Sequence, residues 1–219
     1  MLALVIDTSS AAVTAGVVRF ADGADPTVLA ERVTVDARAH GELLAPSIRD
    51  CLARAGHQLS ELAAVIAGLG PGPFTGLRVG LVTAAAIADA TGLPSYGVCS
   101  LDAMAAVHPD EAELLVAGDA RRKEVYWACY RHGSRIGEPA VDKPAELRVT
   151  ASVMTGAGAQ LYAEVLGLPI IGGQFPTVAG LARCAAERVL RSTPSEQLVP
   201  LYLRRPDAVA PGERKAVSR

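Results

Sequence analysis

Two regimes of hydrophobic and polar positions alternate along this chain: short apolar runs closed by polar turns, and longer stretches with helical spacing. Leu2 to Ile6 reads as a buried strand, Asp7 to Ala12 as a polar turn and Val13 to Phe20 as a second strand, a hairpin with an aspartate at its bend. The arrangement returns later. Leu114 to Ala117 is apolar, Gly118 to Lys123 polar, and Val125 to Tyr130 β-branched and aromatic. The repeat implies two halves built on one plan; two ordinary hairpins sharing an Asp by chance give the same pattern.

Between the hairpins lie two helical patterns. Gly41 to Ala55 puts Leu44, Ile48, Cys51, Leu52 and Ala55 on one face, with Gly56 as its stop and Pro46 in its first turns or at a kink. Thr75 to Ala90 is stopped by Gly92 and Pro94 and carries Gly76, Gly80, Ala84 and Ala88 at successive steps of four. So small a stripe lets another helix come close, within the domain or from a second chain, and internal packing is the first expectation. Later, Val153 to Tyr162 contains a strand-to-helix turn at 155–159, and Val178 to Arg191 reads as a helix.

The second helix is preceded by a buried strand, Leu62 to Ala67, and the loop Gly68-Leu69-Gly70-Pro71-Gly72-Pro73-Phe74-Thr75-Gly76-Leu77-Arg78. Loops this rich in glycine cradle phosphates or shape an interface. This one lacks the Lys-Ser/Thr ending of a P-loop, and no Gly-x-Ser-x-Gly elbow occurs. Arg78 suits an anion or a salt bridge. Asp7 and Asp119, with Thr8 beside the first, suit a magnesium nucleotide held between two lobes, or simply cap their turns. Arg121-Arg122-Lys123 is a compact basic cluster, available to phosphate or merely solvated.

Composition narrows the field. The 219 residues are 50% hydrophobic, enough for one large domain or two small ones to fold without staples. With 21 Lys+Arg against 23 Asp+Glu, the formal charge of -2 gives no general attraction to nucleic acid. Cys51, Cys99, Cys129 and Cys184 are scattered and read as reduced core thiols, and the histidines have no metal-ligand spacing. No apolar run approaches the ~20 residues of a membrane span, so a cytoplasmic protein is expected. The tail Pro206 to Arg219, with Glu213-Arg214-Lys215, reads as loosely ordered, and Arg188, Arg191, Arg204 and Arg205 make the end locally basic.

Six segments then fall into a known order: Ile6-Asp7-Thr8-Ser9, His40 to Pro46, Gly68 to Gly80, Gly97 to Ala103, Asp119 to Tyr126, and Gly156-Ala157-Gly158-Ala159, followed by Tyr202-Leu203-Arg204. In these the chain closely resembles the TsaB (YeaZ) family over nearly its whole length. The resemblance implies an actin-like (ASKHA, ribonuclease H-like) α/β fold of two related lobes, 1–105 and 106–219, the last helix or tail packing back on the first. It also implies a non-catalytic scaffold, without cofactor, that binds and activates TsaD in forming N6-threonylcarbamoyladenosine beside the tRNA anticodon. TsaE joins through that heterodimer, a homodimer is a further option, and tRNA is met indirectly. Where TsaD carries a metal-binding His-x-x-x-His, this chain has Ser100 and Met104, neither suited to a hard catalytic metal. The alternative is an actin-like nucleotide-dependent enzyme or a glycopeptidase-like hydrolase. On the family pattern, Leu44, Ile48, Cys51, Leu52, Gly76, Gly80, Ala84 and Ala88 face the partner, and Gly80→Leu or Ala84→Arg weakens TsaD binding without unfolding the monomer.

Overall fold

The computed structural model of the chain describes residues 1–204, so Arg205 and the tail from Pro206 lie outside the described residues. Strands β1 (Leu2–Asp7), β2 (Ala12–Arg19) and β3 (Thr27–Val35) form an antiparallel meander, and β4 (Ala64–Gly68) joins β1 in parallel, with β5 (Ser95–Val98) beyond it. The first sheet therefore runs β3-β2-β1-β4-β5. In the second, β6 (Leu114–Asp119), β7 (Val125–Arg131) and β8 (Ser134–Asp142) repeat the meander, and β9 (Val153–Thr155) joins β6 in parallel, giving β8-β7-β6-β9. The shared topology makes the two lobes related. Asp7 ends β1 opposite Thr14, and Asp119 ends β6 opposite Val125.

Side-chain alternation along the strands feeds two layers in each lobe. Leu4, Ile6, Val13 and Val65 lie under helices α1 (His40–Ala55) and α2 (Phe74–Thr91), which contribute Leu44, Ile48, Cys51, Leu77, Leu81 and Ala84 to the same core. Each large apolar side chain buried there stabilises the fold by roughly 1.5–3 kcal/mol. Ala3, Val5, Ile66 and Tyr96 face the other way, under Leu181, Ala182, Ala185 and Val189 of α6 (Val178–Leu190). In the second lobe, α3 (Ser100–Ala105) covers Leu114, Val116 and Tyr130, while α4 (Ala157–Leu161) and α5 (Ala163–Leu166) close the opposite face.

Helices α1 and α2 end as expected, at Gly56 and Gly92 in the left-handed conformation, and Pro46 sits inside α1. The sequence pattern did not reveal β3, β5, β8 or α3. Nor did it reveal residues 195–204, which run as an extended strap. Glu196 N–H donates to Ser95 O at 2.9 Å, Leu201 N–H to Leu69 O at 2.8 Å and Arg204 Nη1 to Ala120 O at 3.0 Å. The strap thus covers β5, the outermost strand of the first sheet, and ends on the second lobe. The four cysteines are free thiols, two buried and two partly exposed.

Candidate functional site

Asp7 leaves β1 into the lobe core rather than into solvent, being only 1% exposed. Its Oδ1 accepts from Ser9 N–H at 2.9 Å and Ser9 Oγ at 2.8 Å, and its Oδ2 from Ser100 Oγ at 2.6 Å. Burial pushes the carboxyl above its ordinary value, against the pull of those hydrogen bonds. The glycine loop is shaped around this cluster. A Cβ at Gly68 would overlap the Asp7 carboxylate, and one at Gly72 the Ser9 carbonyl. Gly70 closes the loop onto Ser100, its carbonyl accepting from Ser100 N–H at 2.7 Å and its N–H donating to Ser100 Oγ at 3.2 Å. The backbone groups of Leu69 and Gly70 are engaged by the fold, an architectural use of this part of the loop.

Thr8 accounts for the small stripe. Its hydroxyl donates to Gly76 O at 2.7 Å and accepts from Gly80 N–H at 2.9 Å, bridging the two groups an α-helix bonds directly. A Cβ at Gly80 would strike that hydroxyl. Gly76, Gly80, Ala84 and Ala88 are all buried in the chain's own interior, as are Leu44, Ile48 and Cys51, with Leu52 half-buried against the same core. This corrects the expectation that these residues face a partner: the small side chains admit Thr8 and the sheet. Gly80→Leu and Ala84→Arg then disrupt the fold itself.

The four residues considered for a nucleotide or anion do not converge. Asp7 and Thr8 are sealed, each 1% exposed, and Arg78 points outward from α2. Asp119 lines a cavity of about 140 Å³ between the lobes, with Ser9, Ser10, Met104, Arg121 and Gln174. That is below the ~300 Å³ at which small-molecule pockets begin. Asp119 caps its turn, accepting from Arg121 N–H at 2.8 Å, and pairs with the Arg121 guanidinium at 3.3 Å. Arg121, Arg122 and Lys123 have φ of 60°, 55° and 63°, three left-handed residues in succession. Ser100 and Met104, 2% and 5% exposed, are part of this packing, and no group of His, Cys, Asp or Glu among the described residues is arranged to hold a metal.

The outer face of α2 is different. Phe74 (46% exposed), Arg78, Val82 (66% exposed) and Ala85 lie along it, and Tyr202 of the strap stacks on Phe74 with ring centroids 5.2 Å apart. The Arg78 guanidinium sits 3.7 Å above the Phe74 ring and its Nε donates to Tyr202 Oη at 2.8 Å. The four-step stripe marks the inward side of α2, and Phe74, Arg78, Val82 and Ala85 lie away from it.

Two sheets of one topology, meeting at a cleft with aspartates at corresponding bends, define an actin-like (ASKHA, ribonuclease H-like) α/β protein. The model of the family TsaD, tRNA N6-adenosine threonylcarbamoyltransferase, matches residues 27–164. An uncharacterized protein of Mycobacterium leprae (strain TN) is 51% identical over 94% of this chain, which spans 56% of that protein's length. The tRNA threonylcarbamoyladenosine biosynthesis protein TsaB of Escherichia coli (strain K12) is 40% identical over 97 residues, 43% of this chain and 42% of its own. YeaZ from Pseudomonas aeruginosa superposes with a TM-score of 0.76 at 28% identity, over 92% of this chain and 99% of that one. The chain belongs to the TsaD family and is similar within it to TsaB and YeaZ.

Proposed function

We propose that this chain is the accessory, non-catalytic subunit of a cytoplasmic threonylcarbamoyltransferase complex. It binds and activates a TsaD-type partner that modifies adenosine beside the tRNA anticodon, and the ATPase TsaE joins through that pair. The observation that carries the reading is the exposed face of α2, where Phe74 and Val82 flank Arg78 on a rigid helix. That the TsaD family model matches this chain supports a partner of the same fold, packing helix against helix. A passive role in the chemistry is supported by Asp7, whose acceptors are all engaged by Ser9 and Ser100, and by the small cleft. A cytoplasmic setting agrees with the absence, among the described residues, of a helix long and apolar enough to cross a membrane.

Reconstitution tests this. Threonylcarbamoyl transfer to tRNA by TsaD, with TsaE and ATP, is measured with and without this chain. Stimulation is expected; transfer at the same rate in its absence removes the proposal. Magnesium-ATP hydrolysis by the isolated chain, abolished by Asp119→Ala, would instead favour a nucleotide-dependent enzyme.

A further inference from the structure

Several arginines in this chain balance a carboxylate: the exposed Arg32 with Asp50, Arg131 with Glu113 and Arg135 with Asp102, and the partly buried Arg188 with Glu196 and Arg204 with Glu124. Arg78 pairs with none among the described residues, yet its guanidinium is held in place. Phe74 supports one face of its guanidinium and Tyr202 fixes its Nε, while the two terminal nitrogens have no hydrogen-bond partner among the described residues. Tyr202 is itself clamped on either side, by the Leu201 N–H on Leu69 O and by Arg204 on Ala120 O and Glu124. Ordering a long exposed cation costs side-chain entropy, and here that loss precedes any binding.

We infer that Arg78 is the specificity anchor of the α2 face, presenting a preformed fork to a carboxylate of the protein partner, and that Tyr202 is its positioning residue. This rests on the docking reading above. The geometry suits a carboxylate because a planar guanidinium with its terminal N–H groups outward accepts two oxygens side by side. The neighbouring Val82 and Ala85 and the chain's charge of -2 favour a protein over a nucleic acid on this face. The strap therefore belongs to the docking surface, although it lies far along the chain from α2.

The test compares full-length wild type, Tyr202→Phe, Arg78→Lys and Val82→Arg for affinity toward purified TsaD by titration calorimetry at several salt concentrations. Tyr202→Phe keeps the ring stack and loses only the hydroxyl; about three- to tenfold weaker binding is expected, the value of one hydrogen bond. Arg78→Lys keeps the charge but not the fork and should weaken binding at least as much, with an unchanged thermal midpoint. Adding Tyr202→Phe to Arg78→Lys should cost little more, since both act through one guanidinium. Wild-type affinity in both single variants alongside weak binding by Val82→Arg would overturn the anchor and leave docking intact. Full affinity in Val82→Arg would overturn the docking reading itself. Loss of tRNA retention on a filter in Arg78→Lys, at unchanged TsaD affinity, would overturn the carboxylate in favour of RNA.

Discussion

The hydroxyl of Thr8 stands where two backbone groups of α2 would otherwise meet. Thr8→Val, of equal shape, leaves the Gly76 carbonyl and Gly80 N–H without their partner and should cost about 1–3 kcal/mol in urea denaturation. Thr8→Ser should recover most of it; full stability in Thr8→Val alongside a loss in Thr8→Ser would mean that the methyl, not the hydroxyl, matters. Asp7 makes a second test. Because burial raises its carboxyl, the folded chain holds that proton more firmly than the unfolded chain. Its contribution to stability is fullest in acid and declines as pH rises past the unfolded aspartate's ~3.9. In denaturation from acid to neutral pH, the stability of Asp7→Asn relative to wild type should move steadily in the variant's favour. A difference independent of pH would contradict the raised carboxyl. The sequence marked Asp7 and Thr8 as candidates for a ligand. Their actual partners, Ser100 and Gly80, lie 93 and 72 residues away, which no local pattern encodes.

Helices announce themselves by period, but the destination of a face depends on what it meets. The stripe Gly76-Gly80-Ala84-Ala88 was legible as a close-packing face, and the same spacing serves an internal or an external neighbour equally. Strands β5 and β8 escaped for another reason. β5 is only four residues long, and β8 lies at an edge with exposed, partly charged positions, so neither shows a clean alternation. On α2 the outward position 82 should accept charge: Val82→Arg is expected to change folding stability by less than about 0.5 kcal/mol while weakening TsaD binding. The strap offers a separate handle. Glu196 accepts from Gly97 N–H at 3.2 Å and holds Arg188 at 2.7 Å, so Glu196→Ala should lower stability by about 1–2 kcal/mol. Amide exchange at Gly97 should accelerate with it, and unchanged exchange would mean that the strap is not fastened there.

At the scale of the molecule, the repeated hairpin with its bend aspartate was the clue to two lobes, and the structure extends that likeness to a third and fourth strand in each. What sequence order conceals is the crossing of α6 back to the first sheet. Its Leu181, Ala185 and Val189 cover Ala3, Val5, Ile66 and Tyr96, residues some 85 to 186 positions earlier. Translation delivers those early residues to the cell well before their cover. Until residue 190 has cleared the ribosome, one apolar side of the first sheet stands open to solvent and to other nascent chains. A fragment of residues 1–105 expressed alone is therefore expected to aggregate, and to become soluble when residues 170–204 are supplied as a separate chain. The late helix also makes the final steps of synthesis the moment of commitment: a ribosome stalled before it holds a half-roofed sheet, a natural client for a chaperone.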